Sequence, residues 1–203
     1  MPKTATMTAQ LPSAAYETAR RAMIDSQLRT SGVNAPWVLA AMAALPREAF
    51  VPESARAAAY TDRAVPLGQG RYLAAPLVHG RLLAEAGPTH QDKALLIGEG
   101  NGYLAALLRP LVGVLDAVEP AEVAGLRESG YSLLVIDGAI EQLPGPLAAS
   151  LAEGGRLVTG LVERGVTRLA VGRKVGGAVT LLPLAEIGIP ILLQFAAPKR
   201  WSF

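Results

Sequence analysis

Hydrophobic and polar residues follow two different patterns in the two parts of the chain. Residues 14–90 show mainly helical spacing, and within residues 14–30 Met23 and Leu28 fall on one face of a predicted helix. From Lys93 onward, short apolar runs alternate with turns and with helical stretches. A helical segment followed by alternating strands and helices predicts an α/β fold with a helical cap at its start.

Two further elements and one loop are predicted in the first part. Pro36 suits a first helical turn, with Asn34 as the candidate N-cap, so a helix is predicted up to Pro46. Residues 65–72 contain one proline and two glycines and are predicted to form a loop, and residues 75–86 return to helix.

Seven apolar runs in the second part predict strands. The first four are separated by turns or helices, which is typical of a parallel sheet, and they span residues 94–97, 114–118, 133–136 and 156–162. The last three are separated by short turns, which predicts an antiparallel ribbon, and they span residues 168–171, 178–182 and 189–195. The chain is therefore divided into a flexible tail (1–13), a helical cap (14–90) and a sheet domain (91–203).

Composition narrows the class of protein. With 203 residues, of which 51% are hydrophobic and 18% charged, the chain has enough apolar surface to fold and is not predicted to be disordered. No run reaches the roughly 18 apolar residues of a membrane span, and residues 1–15 lack the apolar core of a secretory signal. The formal net charge is only +2, without a Lys/Arg block, so neither a membrane nor nucleic acid is predicted as a partner.

Cysteine and histidine are too scarce for several kinds of site. The chain has no cysteine and only two histidines, His79 and His90, which excludes disulfides and thiolate catalysis and predicts no metal site. A chain without cysteine fits a reducing compartment, and we predict a cytoplasmic protein. His79 is interpreted as a partly exposed helical histidine rather than a base.

A glycine-rich turn follows the first predicted strand of the sheet. Gly98, Gly100 and Gly102 alternate with Glu99 and Asn101 before a predicted helix at 103–108. Glycines at this position let the backbone turn tightly and approach a ligand closely. The spacing predicts either a nucleotide site or a tight turn without a ligand.

Two acidic residues follow other predicted strands. Glu119 ends the second strand, where a carboxylate can accept hydrogen bonds from ribose hydroxyls or simply face water. Asp137 ends the third strand on the same side of the sheet, where it either faces the ligand or caps the following turn.

The chain resembles the protein-L-isoaspartate O-methyltransferase family, particularly its short alphaproteobacterial-type members. The resemblance covers about residues 20–172. It is carried by six segments: LPREAFVP at 45–52, AYTD at 59–62, PLGQG at 66–70, GEGNGY at 98–103, IDGA at 136–139 and GGRLV at 154–158.

The resemblance implies a fold, a cofactor and a reaction. The fold is a Rossmann-like class I methyltransferase sheet, and the reaction transfers a methyl group from S-adenosylmethionine to a carboxylate of a damaged aspartyl residue in a protein or peptide. The cofactor is expected on Gly98, Glu99, Gly100, Gly102 and Asp137, with Glu119 on its ribose, and the substrate enters by the loop at 66–76. Because a carboxylate is already nucleophilic, catalysis is expected to rest on alignment and on exclusion of water.

The chain departs from the family pattern in three places. Leu96 stands where the family usually has an acid for the amino group of the cofactor, and Ala74 stands where it has a serine near the reacting carboxylate. Arg71 and Tyr72 are the remaining catalytic candidates there, unless Arg71 is solvated and Tyr72 is packed. The connection at 120–132 has room for one short crossover, so the strand and acidic loop that usually contact adenine are absent.

These departures leave two functions open and predict one interface. The chain is either an isoaspartyl methyltransferase or an inactive methyltransferase-fold protein that acts as a binding or assembly module, and methylation of isoaspartyl peptides is expected to be weak or absent because of Ala74. Loss of a strand truncates the sheet and places residues 114–118 at its edge, where an apolar strand is usually covered. We therefore predict that a neighbouring chain or the N-terminal segment covers Val114–Glu119, with a homodimer as the favoured arrangement, unless residues 120–132 fold back over this edge.

Overall fold

The computed structural model describes residues 13–197, in which helices precede a sheet as the sequence pattern predicts. Within these residues the α-helices are α1 (Ser13–Met23), α2 (Pro36–Ala44), α3 (Pro76–Ala86), α4 (Tyr103–Leu108) and α5 (Gly145–Ser150). The strands are β1 (Val65–Gly68), β2 (Arg71–Leu73), β3 (Lys93–Ile97), β4 (Val114–Val118), β5 (Tyr131–Ile140), β6 (Leu151–Glu163), β7 (Val166–Val175) and β8 (Ala178–Glu186). The tail predicted at 1–13 lies outside the described residues except for Ser13, which begins α1.

The helical cap is less regular than predicted. The first helix continues from α1 through a π turn (Ile24–Leu28) and a 3₁₀ turn (Arg29–Ser31). The second helix begins at Pro36 as predicted, but its N-cap is Ala35, which is extended and makes no side-chain cap, so the assignment of Asn34 was wrong. Short 3₁₀ turns at Arg47–Phe50 and Glu53–Ala58 then lead to β1.

The segment predicted as a loop at 65–72 is a β-hairpin. Val65 of β1 pairs with Leu73 of β2, and both side chains are buried against the cap. The turn between the strands is Gln69–Gly70. Gly68, the last residue of β1, and Gly70 have φ of +92° and +75°, a conformation that glycine adopts readily.

The central sheet confirms the α/β class. Its six strands lie in the order β4-β3-β5-β6-β7-β8; the first four are parallel and the last two are antiparallel to their neighbours. The second predicted strand, β4, lies at the edge as expected. The strand predicted at 189–195 is not formed: Ile191 makes a single bridge to Ala139, and Leu193–Phe195 is a 3₁₀ turn.

Alternating side chains of the sheet feed two hydrophobic layers. Leu96 of β3 and Val135 of β5 pack with the cap helices, whereas Ile97 and Ile136 pack into the opposite layer. That opposite layer is thin, since the connection after β4 is a single 3₁₀ turn (Pro120–Gly125). Among residues 13–197, no helix is long and apolar enough to cross a membrane.

Candidate active site

A cleft of about 490 Å³ opens where the parallel strands β3, β4 and β5 end. In open α/β sheets, ligands bind outside the carboxyl ends of the strands, so the position favours a binding site. Four segments supply most of the lining of the cleft: the β1–β2 hairpin, the turn after β3, the start of the connection after β4, and residues 190–194; Phe50, Tyr103 and Asp137 complete it.

The wall at 190–194 is held against β5 by close backbone contacts. Ala139 donates its N–H to the Pro190 carbonyl at 2.7 Å, and Leu192 donates to the Ala139 carbonyl at 2.8 Å. A Cβ at Gly138 would lie 2.5 Å from Leu192 Cγ, so only glycine allows this approach. Gly138, the glycine of the IDGA segment, therefore allows residues 190–194 to pack closely against β5.

The glycine-rich turn supplies three of its four predicted ligand residues to the cleft. Gly98, Glu99 and Gly102 line it. Gly98 has φ of +155°, and a Cβ there would lie 3.1 Å from Asp137 Cβ, so a side chain would be strained and would press on that aspartate. Gly100 is not among the lining residues; a Cβ at this position would meet Ala117 Cβ of β4 at 3.3 Å.

Both predicted acids at the strand ends line the same cleft. Glu119 follows the last residue of β4, and Asp137 lies within β5, which runs four residues beyond the predicted end of its strand. Asp137 caps no turn: its Oδ1 is 3.2 Å from His79 Nε2, and its side chain is 22% exposed. The structure thus brings together carboxylates from two strands.

His79 is fully buried in α3, contrary to the prediction that it is partly exposed. Its neighbours one helical turn along, Leu82 and Leu83, are also fully buried, so His79 lies on the core face. The burial of His79 could have been predicted from the sequence, because residues three and four apart in a helix share one face.

Arg47 is the second functional candidate that sequence reasoning missed. It is fully buried, and its Nη1 is 3.1 Å from His79 Nδ1. Its Nε donates to the Ala59 carbonyl at 2.8 Å, and its Nη2 donates to the Ala74 carbonyl at 2.7 Å. Burial lowers the pKa of Arg47 from its ordinary value, but an arginine remains charged in proteins.

Tyr103 of α4 lies between this cluster and the cleft. The Arg47 guanidinium lies over its ring at 4.7 Å from the centroid. Burial raises the pKa of Tyr103 to about 12, so the phenol is neutral at physiological pH and does not add a charge to the cleft.

At the cleft mouth, the hairpin contacts the glycine-rich turn. Arg71 forms an ion pair with Glu99, and both side chains are partly exposed. Tyr72 is 49% exposed and also lines the cleft, so it is not packed in the core. The two catalytic candidates of the hairpin therefore lie at the entrance.

Two of the three departures lie in the core. Leu96 is buried in the cap-side layer, and Ala74 is buried while its carbonyl accepts the hydrogen bond from Arg47. The short connection still gives Pro120 and Ala121 to the cleft wall. Within residues 13–197, no group of three or more metal-ligating side chains is placed to hold a metal.

Comparison with known proteins identifies relatives of one kind. The family model "Protein-L-isoaspartate(D-aspartate) O-methyltransferase" matches residues 18–123. A protein-L-isoaspartate O-methyltransferase of Methanoculleus marisnigri is 31% identical over 203 aligned residues, covering 87% of this chain and 92% of the relative. One from Aeropyrum pernix is 40% identical over 174 residues, covering 70% and 66% of the two chains.

A solved structure shares the fold. It is a protein-L-isoaspartate O-methyltransferase from Plasmodium falciparum in complex with S-adenosyl-L-homocysteine, with a TM-score of 0.68 and 16% sequence identity. The match covers 88% of this chain and 98% of that chain.

Proposed function

The chain belongs to the protein-L-isoaspartate(D-aspartate) O-methyltransferase family, and we propose that its cleft performs S-adenosylmethionine-dependent methylation of carboxylates on damaged aspartyl residues in proteins. The observation that carries the proposal is the cleft at the carboxyl end of the sheet, where the glycine-rich turn meets carboxylates from two strands. The comparisons give no support to the alternative of an inactive binding module.

The charge of the cleft suits this cofactor. S-adenosylmethionine supplies an electrophilic methyl group on a sulfonium, and its sulfonium and ammonium charges outnumber its single carboxylate. Among residues 13–197, three acids line the cleft, Glu99, Glu119 and Asp137, against one cation, Arg71. Because Arg71 pairs with Glu99, two carboxylates remain to attract a positively charged ligand.

The positions of four residues that line the cleft indicate how each would contact the cofactor. Gly98 and Gly102 let the backbone approach the cofactor, and Glu119 accepts hydrogen bonds from its ribose hydroxyls. Asp137 binds the amino group of the cofactor, because Leu96 replaces the acidic residue that usually does so in the family. The Oδ2 atom of Asp137 is 3.9 Å from a Cβ built on Gly98, which places this carboxylate beside the glycine-rich turn.

The acceptor is bound at the hairpin. A substrate carboxylate needs no strong base, so the hairpin has to orient it and exclude water. Arg71 is the cation available at the mouth, and it exchanges Glu99 for the substrate carboxylate, with Tyr72 beside it. Residues 14–90 thus act as cap and substrate loop, and residues from 91 onward bind the cofactor.

An isomer-specific methylation assay tests the proposal. The protein is incubated with methyl-labelled S-adenosylmethionine and an isoaspartyl peptide, with the aspartyl isomer of the same peptide as control. We expect base-labile methyl ester on the isoaspartyl peptide alone, at a modest rate because Ala74 offers no side-chain hydroxyl. Absence of ester, while the cofactor is shown to bind, would contradict the assigned reaction.

We also propose a homodimer through Val114–Glu119. Within the described residues β4 pairs only with β3, and Val114 is 50% exposed. The connection after β4 packs against α5 and the Leu193–Phe195 turn. The cytoplasmic location of the protein stays a prediction.

Light scattering tests the dimer with a matched pair of variants. We expect a dimer for the wild type, a monomer for Val114→Lys, and a dimer for Val175→Lys, which changes an exposed valine of β7. A monomeric wild type, or a dimer that tolerates Val114→Lys, would contradict the interface.

A further inference from the structure

We infer that Arg47 and His79 are positioning residues that fix the Asp137 carboxylate for the ammonium group of the cofactor, an inference that rests on the proposed function. The three side chains form a buried row from the cap to the cleft. Arg47 and His79 are fully buried, whereas Asp137 lines the cleft.

The direction of each hydrogen bond follows from the chemistry of arginine. A guanidinium has five donors and no acceptor, so Arg47 Nη1 donates to His79 Nδ1 across 3.1 Å. A histidine that accepts at Nδ1 carries its proton on Nε2, and this N–H donates to Asp137 Oδ1 across 3.2 Å. The row therefore selects one tautomer of His79 and points a donor at the carboxylate.

The row is rigid because its first member is held at three points. Besides the contact with His79, Arg47 donates to the carbonyls of Ala59 and Ala74. Its anchors thus come from separate segments of the cap, and the His79 ring packs against Tyr103 at a centroid distance of 5.4 Å. Neither ring nor guanidinium can turn without losing a buried hydrogen bond.

The carboxylate keeps capacity for a ligand. Within residues 13–197, the hydrogen bond to the Asp137 side chain comes from His79 alone, and it occupies Oδ1. A carboxylate has about four acceptor sites. With Oδ1 fixed, Oδ2 stays beside Gly98 at the cleft and can accept from an ammonium group.

The tautomer is measured on the wild type. Long-range nitrogen–proton correlation NMR distinguishes the two ring nitrogens, and the chain has only two histidines, of which His90 is exposed and serves as the internal reference. We expect His79 as the Nε2–H tautomer alone and His90 averaging between forms. A proton on Nδ1 of His79 would overturn the inference.

The binding role is tested with two ligands and two variants. S-adenosylhomocysteine carries the ammonium group, and 5′-methylthioadenosine lacks it. His79→Leu removes a hydrogen bond to a charged group. We therefore expect it to weaken the binding of S-adenosylhomocysteine about tenfold and the binding of 5′-methylthioadenosine by less than about twofold. His79→Gln, whose amide can both accept from Arg47 and donate to Asp137, should retain wild-type affinity for both ligands.

The outcomes separate the inference from the proposed function. Equal weakening of both ligands by His79→Leu, or no weakening of either, overturns the positioning role while the cofactor site stands. Failure of the wild type to bind either ligand contradicts the cofactor site itself, and the tautomer measurement still decides the geometry of the row. Thermal melting of both variants shows whether they fold.

Discussion

Two aspartates at opposite ends of the sheet show how position decides what a carboxylate does. Asp92 immediately precedes β3, and its carboxylate receives five hydrogen bonds, from the backbone and hydroxyl of Thr89, from the Ser132 hydroxyl and from both terminal nitrogens of Arg156. Asp137, near the end of β5, receives its one hydrogen bond within residues 13–197 from His79.

The difference distinguishes a structural carboxylate from a binding one. Burial on its own raises the pKa of Asp92, but hydrogen bonds from Arg156, Ser132 and Thr89 outweigh it and hold this pKa well below its usual range. Asp92 is thereby saturated and has no capacity for a ligand. Asp137 is unsaturated and faces the cleft, as expected of a residue that binds something.

The largest expected effect on the free energy of unfolding appears when aspartate is replaced by asparagine at each of the two positions and the variants are compared. Asp92→Asn places an amide against the donors of Arg156 and should lower the free energy of unfolding by about 3 kcal/mol. Asp137→Asn keeps an acceptor for His79 and should lower it by less than about 1 kcal/mol. Urea denaturation measures both variants; equal losses would remove the distinction between the two sites.

For cofactor binding, the substitution at Asp137 is expected to have a larger effect than the substitution at Asp92. Asp137→Asn should weaken the binding of S-adenosylmethionine by about 1.5–3 kcal/mol, because the ammonium group then donates to a neutral amide oxygen instead of pairing with a carboxylate. Folded Asp92→Asn should bind within about twofold of the wild type, since its side chain lies at the other end of the sheet. Calorimetry on both variants tests this, and unchanged affinity in Asp137→Asn would contradict the assigned role.

The pH dependence of the free energy of unfolding should show the effect of the lowered pKa of Asp92. Because its pKa is lowered in the folded state, the stability that it contributes is fully present above the unfolded value of about 4 and is lost as pH falls below it. The difference in unfolding free energy between the wild type and Asp92→Asn should therefore shrink in acid. A difference that stays constant from neutral pH down to about pH 3 would contradict the lowered pKa.

The smallest effect on stability is expected at the cleft mouth. Arg71 and Glu99 form an ion pair in which both side chains are partly exposed, whereas the Asp92 side chain in the pair with Arg156 is buried. Arg71→Ala should therefore change the free energy of unfolding by less than about 1 kcal/mol. It should instead raise KM for the isoaspartyl peptide several-fold, and a steady-state assay with an unchanged KM would argue against a substrate contact.

Much of the sheet could be predicted because its patterns are local. Short apolar runs identified β3, β4 and the core of β5, and the short turns identified the antiparallel β7 and β8. The edge position of β4 was predicted from the strand order of the family that the chain resembles, because the short connection after β4 leaves no room for the strand that usually lies outside it. The strand predicted at 189–195 failed because this segment forms one bridge, at Ile191, and then turns.

The site could be predicted only where a motif carries it. Seven of the eight candidate residues line the cleft. Five of them belong to the glycine-rich turn and to the ends of strands, which converge in a parallel sheet, and Arg71 and Tyr72 come from the hairpin. Gly100 instead lies against β4, where a Cβ would meet Ala117 Cβ at 3.3 Å. The row of Arg47 and His79 was missed because these residues are 32 positions apart in the sequence and meet only in the folded cap.

Calorimetric titration of S-adenosylmethionine and S-adenosylhomocysteine into the wild-type protein shows whether the cleft binds the cofactor. We expect saturable binding of both ligands with micromolar affinity, together with a rise in melting temperature, because a ligand bound only by the native state must stabilise it. No heat and no thermal shift at millimolar ligand would contradict the claim that the acids at the carboxyl end of the sheet form a cofactor site.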